Sequence, residues 1–302
     1  MSQKELRLDD KEIFLKYLSY QKHQLSFYSW PNIFIWKGLY RVTWEIIEGS
    51  LCIFFQDSCG TFLYLPPLGF NASASLVAKV FEIMDSLNKN PAISRIENVE
   101  EDQMPWFKKF GYKAVDKFPE YLYRRKDLVE LRSDRYKSQR ASYNFFLRHY
   151  RFNMRPYSVE DKIECLKLYE NWSTQRAQAH PNHIYCGMLK DSYIAFQIML
   201  DNYADLDILG LVVEVDNKLA GFSFGFCLNK DTFCILYEVV DLAIKGAAQF
   251  IFREFCRSLS SFTYINAMDD SGLANLKTVK QSYRPLELIP SYIITRRDSR
   301  QV

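Results

Sequence analysis

The chain repeats one order of secondary-structure elements twice, and this duplication limits the folds that it can adopt. In each half, three short runs of β-forming residues separated by turn residues lead into an amphipathic helical stretch, and a strand, a helix and a last strand follow. In the first half we predict strands at Arg41–Ile47, Leu51–Gln56, Thr61–Leu65, Ser94–Val99 and Lys113–Arg124, and helices at Ala72–Leu87 and Glu101–Phe110. In the second half we predict strands at Asp207–Val215, Leu219–Leu228, Thr232–Val240, Thr263–Asn266 and Leu286–Arg297, and helices at Gly246–Leu259 and Gly272–Tyr283.

The length of the chain supports two domains of ordinary size. With 302 residues, each copy is large enough to bury its own hydrophobic core. We predict two tandem α/β (α+β) domains, 1–133 and 134–302, each a mixed, mostly antiparallel sheet flanked by helices. Their join falls within 134–157. Three more helices are predicted at Asp9–Ser19, Val159–Ala179 and Asp191–Asp201.

The cysteines and the N-terminal segment indicate a reducing compartment. The seven cysteines are scattered without a Cys-x-x-Cys pair, which argues against a disulfide framework and against a zinc site. The four histidines also lack metal-ligand spacing. Residues 1–12 are charged, and no window approaches the ~20 apolar residues that span a bilayer. We therefore expect a soluble, cytoplasmic protein with no transmembrane segment and no bound metal.

A basic segment joins the two copies. Between Arg124 and Arg155 there are ten lysines and arginines against three acidic residues. The cationic residues that alternate with aromatic ones are Arg132, Arg135, Lys137, Arg140, Arg148 and Arg151. Positive charge with aromatic side chains nearby is typical of surfaces that bind polyanions such as transfer RNA. A solvated helix with an incidental surplus of charge is the alternative.

Short motifs indicate which known fold the repeated order resembles. Residues Trp106–Tyr112 read Trp-Phe-Lys-Lys-Phe-Gly-Tyr, which resembles the aromatic-x-x-x-Gly-aromatic ending of the last helix in GNAT acyltransferases. Over nearly the whole chain, the order of motifs resembles the family of the phosphatidylglycerol lysyltransferase C-terminal domain. The matching segments are Leu65–Gly69, Glu120–Tyr123, Arg135–Phe146, Trp172 with Arg176, and Leu276–Pro285. The resemblance implies two tandem GNAT-like acyl-CoA N-acyltransferase domains.

Two segments depart from that family's pattern. The family commonly has Asn-Arg-Glu-Gln-Asp-x-Gly after the fifth strand of its second domain, whereas residues 266–272 read Asn-Ala-Met-Asp-Asp-Ser-Gly. Val240 stands where the family commonly has a lysine. The matched positions imply substrate-binding roles for Asn266, Trp172 and Arg176. The departures leave open whether the second domain is an enzyme or a binding module.

The candidate catalytic residues lie in the second half. Acyl transfer to an amine needs a base, donors for the developing oxyanion and an acid for the leaving group. Glu238 ends an otherwise apolar strand, and it is either the general base or a rim glutamate paired with an arginine. Asp270 either touches substrate or caps the helix that follows. Tyr283 resembles the leaving-group tyrosine of GNAT enzymes, with packing as the alternative, and Lys280 lies one turn from Lys277, so both can face a phosphate.

A strand-to-helix turn in the second half is a candidate phosphate site. The usual GNAT loop is Gln/Arg-x-x-Gly-x-Gly/Ala, and residues 243–248 read Ala-Ile-Lys-Gly-Ala-Ala. Backbone N–H groups at a helix N-terminus bind phosphate, and a tight turn with close helix packing is the alternative. Pro66–Pro67 removes two such donors in the first half, so that copy is predicted to be structural. The predicted cofactor-binding residues are Lys245, Gly246, Ala247 and Ala248.

Several functions remain open from the residues alone. The first is a transferase that moves an acyl group to an amine or hydroxyl acceptor, and the resemblance implies that aminoacyl-tRNA is the donor. An acetyl-CoA-dependent N-acyltransferase and a non-catalytic GNAT-like binding module are the alternatives. By family analogy, the acceptor includes a lipid head group reached through peripheral contact with anionic lipid. We expect no tightly bound cofactor, with aminoacyl-tRNA or acyl-CoA as co-substrate.

Overall fold

A computed structural model describes residues 3–69 and 73–296 of the chain. Its strands are β1 (Lys4–Glu5), β2 (Arg41–Ile47), β3 (Ser50–Gln56), β4 (Thr61–Leu63), β5 (Ile96–Val99), β6 (Lys113–Arg124), β7 (Phe152–Pro156), β8 (Ile208–Val215), β9 (Lys218–Asn229), β10 (Thr232–Val240), β11 (Tyr264–Asn266) and β12 (Glu287–Thr295). Its helices are α1 (Lys11–Leu18), α2 (Trp30–Phe34), α3 (Ala74–Leu87), α4 (Met104–Lys109), α5 (Arg125–Glu130), α6 (Lys137–His149), α7 (Lys162–Ala179), α8 (His183–Asp201), α9 (Ala247–Ser258) and α10 (Ala274–Ser282). The chain divides into two compact units, which are unit 1 (Met1–Glu120 with Ile289–Val302) and unit 2 (Tyr121–Leu288).

Unit 1 is a sheet with the strand order β1-β2-β3-β4-β5-β12-β6, on which helix α3 packs. β2 and β3 form an antiparallel hairpin closed by Glu48 and Gly49. Both residues have positive φ, the turn geometry that matches the right-handed twist of the strands. Helix α3 begins behind Ser73, whose Oγ accepts a hydrogen bond from Leu76 N at 3.0 Å. The helix residues buried against the sheet are Leu76, Val77, Val80, Phe81 and Met84.

Unit 2 repeats this plan with the order β6-β11-β10-β9-β8-β7. Asp216 and Asn217, again with positive φ, close its β8–β9 hairpin. β10 and β11 run parallel, as β4 and β5 do in unit 1, and the other strand pairs of unit 2 are antiparallel. Helices α6 and α9 pack on one face of this sheet, and α7 and α8 cover the other. The repeated order of elements predicted from the sequence is therefore present in both units.

The last strand of each predicted half takes part in the other unit, unlike the predicted division into 1–133 and 134–302. β12 pairs antiparallel with β5 at Ile294↔Ile96, and Ile294 is buried in the core of unit 1. The end of β6 pairs with β11 at Ile265↔Tyr123. A hydrophobic pattern predicts that a strand exists, but its partner depends on contacts that are remote in sequence. The compact units therefore differ from the predicted domains at both of these strands.

Most predicted elements occur close to their predicted bounds, and β2, β6 and β10 begin and end at the predicted residues. Helix α8 begins at His183 rather than at Asp191, and the sequence did not predict α2, α5 or β7. The basic joining segment is consequently α5, a 3-10 turn, α6 and β7 instead of one helix. The predicted start of α3 at Ala72 and the predicted end of β12 at Arg297 lie outside the described residues.

Candidate active site

In unit 2, the short strand β11 pairs along its whole length with the first three residues of β10. Their parallel pairing ends at Cys234↔Asn266, whereas β10 continues to Val240 beside β9. The register of β10 against β9 shifts between Ile235 and Tyr237, which marks a β-bulge. Bulges bend a strand and re-aim its side chains. The two strands therefore diverge at the carboxyl end of β10, next to the segment that follows β11.

Glu238 lies on the part of β10 that extends beyond its pairing with β11. The residue is half-buried, but its Oε2 is sealed from solvent and has no hydrogen-bond partner in the described part of the chain. Burial raises the pKa of the carboxyl to about 8, and the positive charge of Lys280 opposes part of this rise. A carboxyl with a pKa near neutrality is suited to proton transfer at physiological pH. The predicted alternative, a rim glutamate paired with an arginine, has no support among the described contacts of Glu238.

Ser223 faces Glu238 across the two strands, a neighbour that the sequence analysis missed. The two residues are paired in the β9–β10 register, so their side chains point to the same face with Cβ atoms roughly 4.5–5.5 Å apart. Ser223 Oγ is also buried without a hydrogen-bond partner in the described structure. The only sequence signal is a hydroxyl between Phe222 and Phe224 on an apolar strand. Two unsatisfied polar groups therefore meet at one position, where a ligand can bond to both.

The carboxyl of Glu238 points to the α9 face of the sheet. Two residues further along β10, Val240 lies near Ile251 of α9, because a Cβ on Gly221 would contact both side chains. Side chains two residues apart on a strand share a face. Tyr237 points the opposite way, and its ring lies 5.0 Å from that of Phe196 on α8.

Trp172 and Arg176 lie on α7, which covers the face opposite to the carboxyl of Glu238. Both residues are half-buried, and the Arg176 guanidinium lies 5.8 Å from the centre of the Trp172 ring. Tyr169 of the same helix stacks on Phe196 at 5.2 Å. The structure therefore does not bring the predicted substrate residues Trp172 and Arg176 onto the face that Glu238 occupies.

Asp270 and Asn266 shape the segment that follows β11. Asp270 is 4% exposed, and its Oδ2 accepts a hydrogen bond from the Tyr121 hydroxyl at 2.5 Å. Its Oδ1 accepts one from Gly272 N at 2.9 Å. Asn266 is fully buried, and its Oδ1 accepts a hydrogen bond from Met268 N. Both oxygens of Asp270 are thus bonded within a buried turn that leads to α10. Its two predicted roles were a substrate contact and a helix cap, and the substrate contact stays a prediction.

Lys280 holds the same segment from helix α10. Its ammonium donates to the backbone carbonyls of Ala267, Met268 and Asp269, the last at 2.5 Å. Its charge is close enough to lower the pKa of Glu238. The Lys280 ammonium is therefore bonded to main-chain oxygens, and its predicted contact with a phosphate stays a prediction.

Tyr283 lies at the end of α10 in the same neighbourhood as Glu238. Its side chain is 8% exposed, and its ring packs edge-on against Phe252 at 4.7 Å. Burial raises the pKa of its phenol, and the charge of Glu238 raises it further. The hydroxyl therefore stays protonated over the whole physiological range, which is the state that a proton donor needs. Glu238, Lys280 and Tyr283 therefore lie close enough to affect one another's charges, and their catalytic and substrate-binding roles stay predictions.

The strand-to-helix turn is tightly packed where a phosphate site was predicted. Gly246 has φ +86°, and a Cβ there would lie 2.3 Å from the Ser142 carbonyl oxygen of α6. The backbone amides of Ala248 and Gln249 belong to the first turn of α9 and therefore have no acceptor within the helix. The amide of Ala247 donates to Ile244 O at 3.2 Å. Lys245 is exposed, with its ammonium 4.6 Å from the Phe145 ring. The close packing explains the glycine, and the phosphate site stays a prediction.

The predicted polyanion-binding residues divide into two groups. Arg140 donates to the backbone carbonyls of Leu131 and Ser133, the latter at 2.5 Å, and thereby ties down the chain before α6. Arg132 is exposed but pairs with Glu130 at 3.0 Å. The other four are exposed, and they are Arg135, Lys137, Arg148 and Arg151.

Within residues 3–69 and 73–296, no group of three or more histidine, cysteine or acidic side chains is arranged to hold a metal ion. None of the helices in the described part of the chain combines the length and the apolar character needed to cross a bilayer.

Comparison with known proteins identifies the fold and the family. A conserved protein of unknown function from Bacteroides thetaiotaomicron superimposes with a TM-score of 0.87 at 22% identity, covering 98% of this chain and 100% of that one. L-PGS from Bacillus licheniformis gives a TM-score of 0.64 at 17% identity, with coverage of 96% and 92%. A tandem GNAT protein from the clavulanic acid biosynthesis pathway gives 0.50 at 9% identity, with coverage of 97% of both chains. No curated protein matches the sequence.

The fold is that of tandem GNAT-like proteins. The family described as phosphatidylglycerol lysyltransferase, C-terminal, matches residues 20–295. The chain belongs to this family, as the motifs in the sequence indicated.

Proposed function

We propose that unit 2 is the catalytic unit of an acyltransferase that moves an aminoacyl group from aminoacyl-tRNA to an amine or hydroxyl acceptor. The observation that carries the proposal is Glu238, a carboxyl with a buried oxygen that has no described partner and with a pKa raised to about 8, on the part of β10 that extends beyond β11. A group in this state takes up a proton from a reacting nucleophile efficiently near neutral pH.

In the proposed reaction, the acceptor attacks the ester that joins the aminoacyl group to the tRNA ribose. The acceptor nitrogen or oxygen bonds to the aminoacyl carbonyl carbon, and its proton passes to the ionised carboxylate of Glu238. The Ser223 hydroxyl donates a hydrogen bond to the developing oxyanion. The bond to the ribose oxygen then breaks, and Tyr283 supplies the proton that this leaving oxygen needs. The proton on Glu238 returns to the phenolate through solvent, so the cycle needs no other reactant.

The exposed cations Arg135, Lys137, Arg148 and Arg151 support the choice of a tRNA donor, because exposed arginines and lysines neutralise phosphates. An acyl-CoA donor is the second candidate. It is favoured by the start of α9, where first-turn amides and Lys245 face the same end of the helix. Binding of labelled aminoacyl-tRNA across a salt series, with CoA as competitor, separates the two. Salt-sensitive binding that CoA leaves intact supports the tRNA donor, whereas no binding at low salt rejects it.

Activity is tested with a pool of labelled aminoacyl-tRNA and vesicles of phosphatidylglycerol and phosphatidylethanolamine, which offer a hydroxyl and an amine head group. We expect label to enter the lipid phase and Glu238→Gln to lower the rate by roughly 10²–10⁴-fold. Exposed Glu287→Gln is the matched control and keeps the rate. Because the base must be ionised, the wild-type rate should rise with pH up to about 8 and then level off. Full activity in a variant carrying both Glu238→Gln and Tyr283→Phe would overturn the assignment.

A further inference from the structure

Unit 1 contains a cavity near the place where its parallel strands diverge, as β10 and β11 do in unit 2. β4 and β5 pair in parallel at Leu63↔Ile96 and separate beyond it. The cavity has a volume of about 350 Å³, within the roughly 300–1,000 Å³ of small-molecule sites. Its lining includes Pro66–Gly69 after β4, Asp102–Gln103 after β5, and Trp106–Phe107 of α4.

Aromatic rings form two sides of this cavity. Tyr17 and Tyr20 line it from the end of α1, with ring centres 5.3 Å apart in an edge-to-face arrangement. Trp106 and Phe107 line it from α4, with ring centres 5.0 Å apart. The faces of such rings attract cations, with Trp and Tyr the strongest.

The charges around the cavity are mainly negative. The exposed Asp102 lines it, and so does His23, whose Nδ1 lies 2.8 Å from Glu100 Oε2. Glu100 Oε1 accepts a hydrogen bond from Gln24 N at 2.7 Å. Asp102 and Glu100 give this group two carboxylates against one imidazole, that of His23. No lysine or arginine belongs to the cavity wall that the structure describes.

The neighbouring phenol of Tyr28 is affected by the same two carboxylates. Its pKa is raised first by burial and then by the charges of Glu100 and Asp102. Negative potential beside aromatic walls is the combination that selects a positively charged organic group over an anion or a neutral one.

We propose that this cavity binds a small organic ammonium ion, held against the aromatic rings and balanced by Asp102 and the His23–Glu100 pair. This assigns a ligand site to the half of the chain that was predicted to be structural. The site is separate from Glu238, so it does not depend on the transfer reaction.

The test compares choline with 3,3-dimethyl-1-butanol, its neutral isostere, by isothermal titration calorimetry on the full chain. We expect choline to bind about tenfold or more tightly than the isostere. Asp102→Asn keeps the shape of an exposed side chain and should weaken choline binding by about threefold to tenfold. Asp116→Asn removes the same charge from an exposed position outside the cavity and should leave binding unchanged. Trp106→Leu should also weaken binding.

Several results would overturn the proposal. They are equal binding of the isostere, no choline binding at about 10 mM, where a ligand of about millimolar affinity approaches saturation, tighter binding of inorganic phosphate than of choline, or an equal effect of the two aspartate substitutions. Glu238→Gln should bind choline normally. Loss of transfer activity in that variant together with intact choline binding would show that the two sites are independent.

Discussion

Replacing Glu238 by glutamine removes a carboxyl whose pKa burial raises to about 8, and the stability of unit 2 should reveal this. In the unfolded chain the pKa returns to about 4.3. Between these two values the folded chain binds a proton that the unfolded chain has lost, so folding stability falls as pH rises. The slope is ~1.4 kcal/mol per pH unit, and the full window amounts to about 5 kcal/mol. Glutamine has no such dependence.

The free energy of unfolding is measured by urea titration of the wild type and of Glu238→Gln, with amide hydrogen exchange in β9 and β10 reporting on unit 2. The advantage of the variant over the wild type should grow by ~2.7 kcal/mol between about pH 5 and about pH 7. Taking the difference cancels the titration of groups that the two proteins share. The control Glu287→Gln, at an exposed side chain, should keep a constant difference from the wild type. Parallel stability curves for Glu238→Gln and the wild type would refute the buried-carboxyl argument.

Two further substitutions test how the candidate site is held. Gly246→Ala places a Cβ 2.3 Å from Ser142 O at φ +86°, and it should lower the free energy of unfolding in urea titrations by about 2 kcal/mol or more. The control Gly187→Ala has open space around it and should stabilise α8 by up to about 1 kcal/mol. Equal effects of the two substitutions would contradict the packing argument. Tyr121→Phe removes the hydroxyl that donates to buried Asp270 and should lower the free energy of unfolding by about 1–3 kcal/mol, and no change would mean that this bond is not structural.

The sequence was informative about the site where a single position carried the signal. Glu238 was predicted because a carboxylate at the end of an apolar strand is unusual, and the structure places it where β10 leaves β11. Tyr283 and Lys280 were predicted from their place on the last helix. Lys280 lowers the pKa of Glu238, and Glu238 raises the pKa of Tyr283.

Several residues owe their contacts to neighbours that are remote in sequence. Asp270 bonds to the nearby Gly272 N and also to a tyrosine 149 residues away, and nothing around Asp270 indicated this second bond. Ser223 stands out only once the β9–β10 register places it opposite Glu238. Arg140 counted as one more surface cation until its contacts to Leu131 and Ser133 were visible.

The cavity of unit 1 shows the same limit. His23 and Glu100 are 77 positions apart, and the prolines after β4 predicted only a structural role for this copy. They did not indicate that the space beyond them is lined by aromatic and acidic groups.

The sequence by itself determined the duplication, the order of strands and helices, and the family, because turn residues and hydrophobic periodicity are local properties of a chain. The tertiary structure decided which strands pair, and so placed β12 beside β5 and the end of β6 beside β11. It also decided which polar groups are desolvated, and therefore which of the many carboxylates has a raised pKa. Strand partners and desolvation both depend on atoms brought together from distant parts of the chain, and no local pattern encodes them.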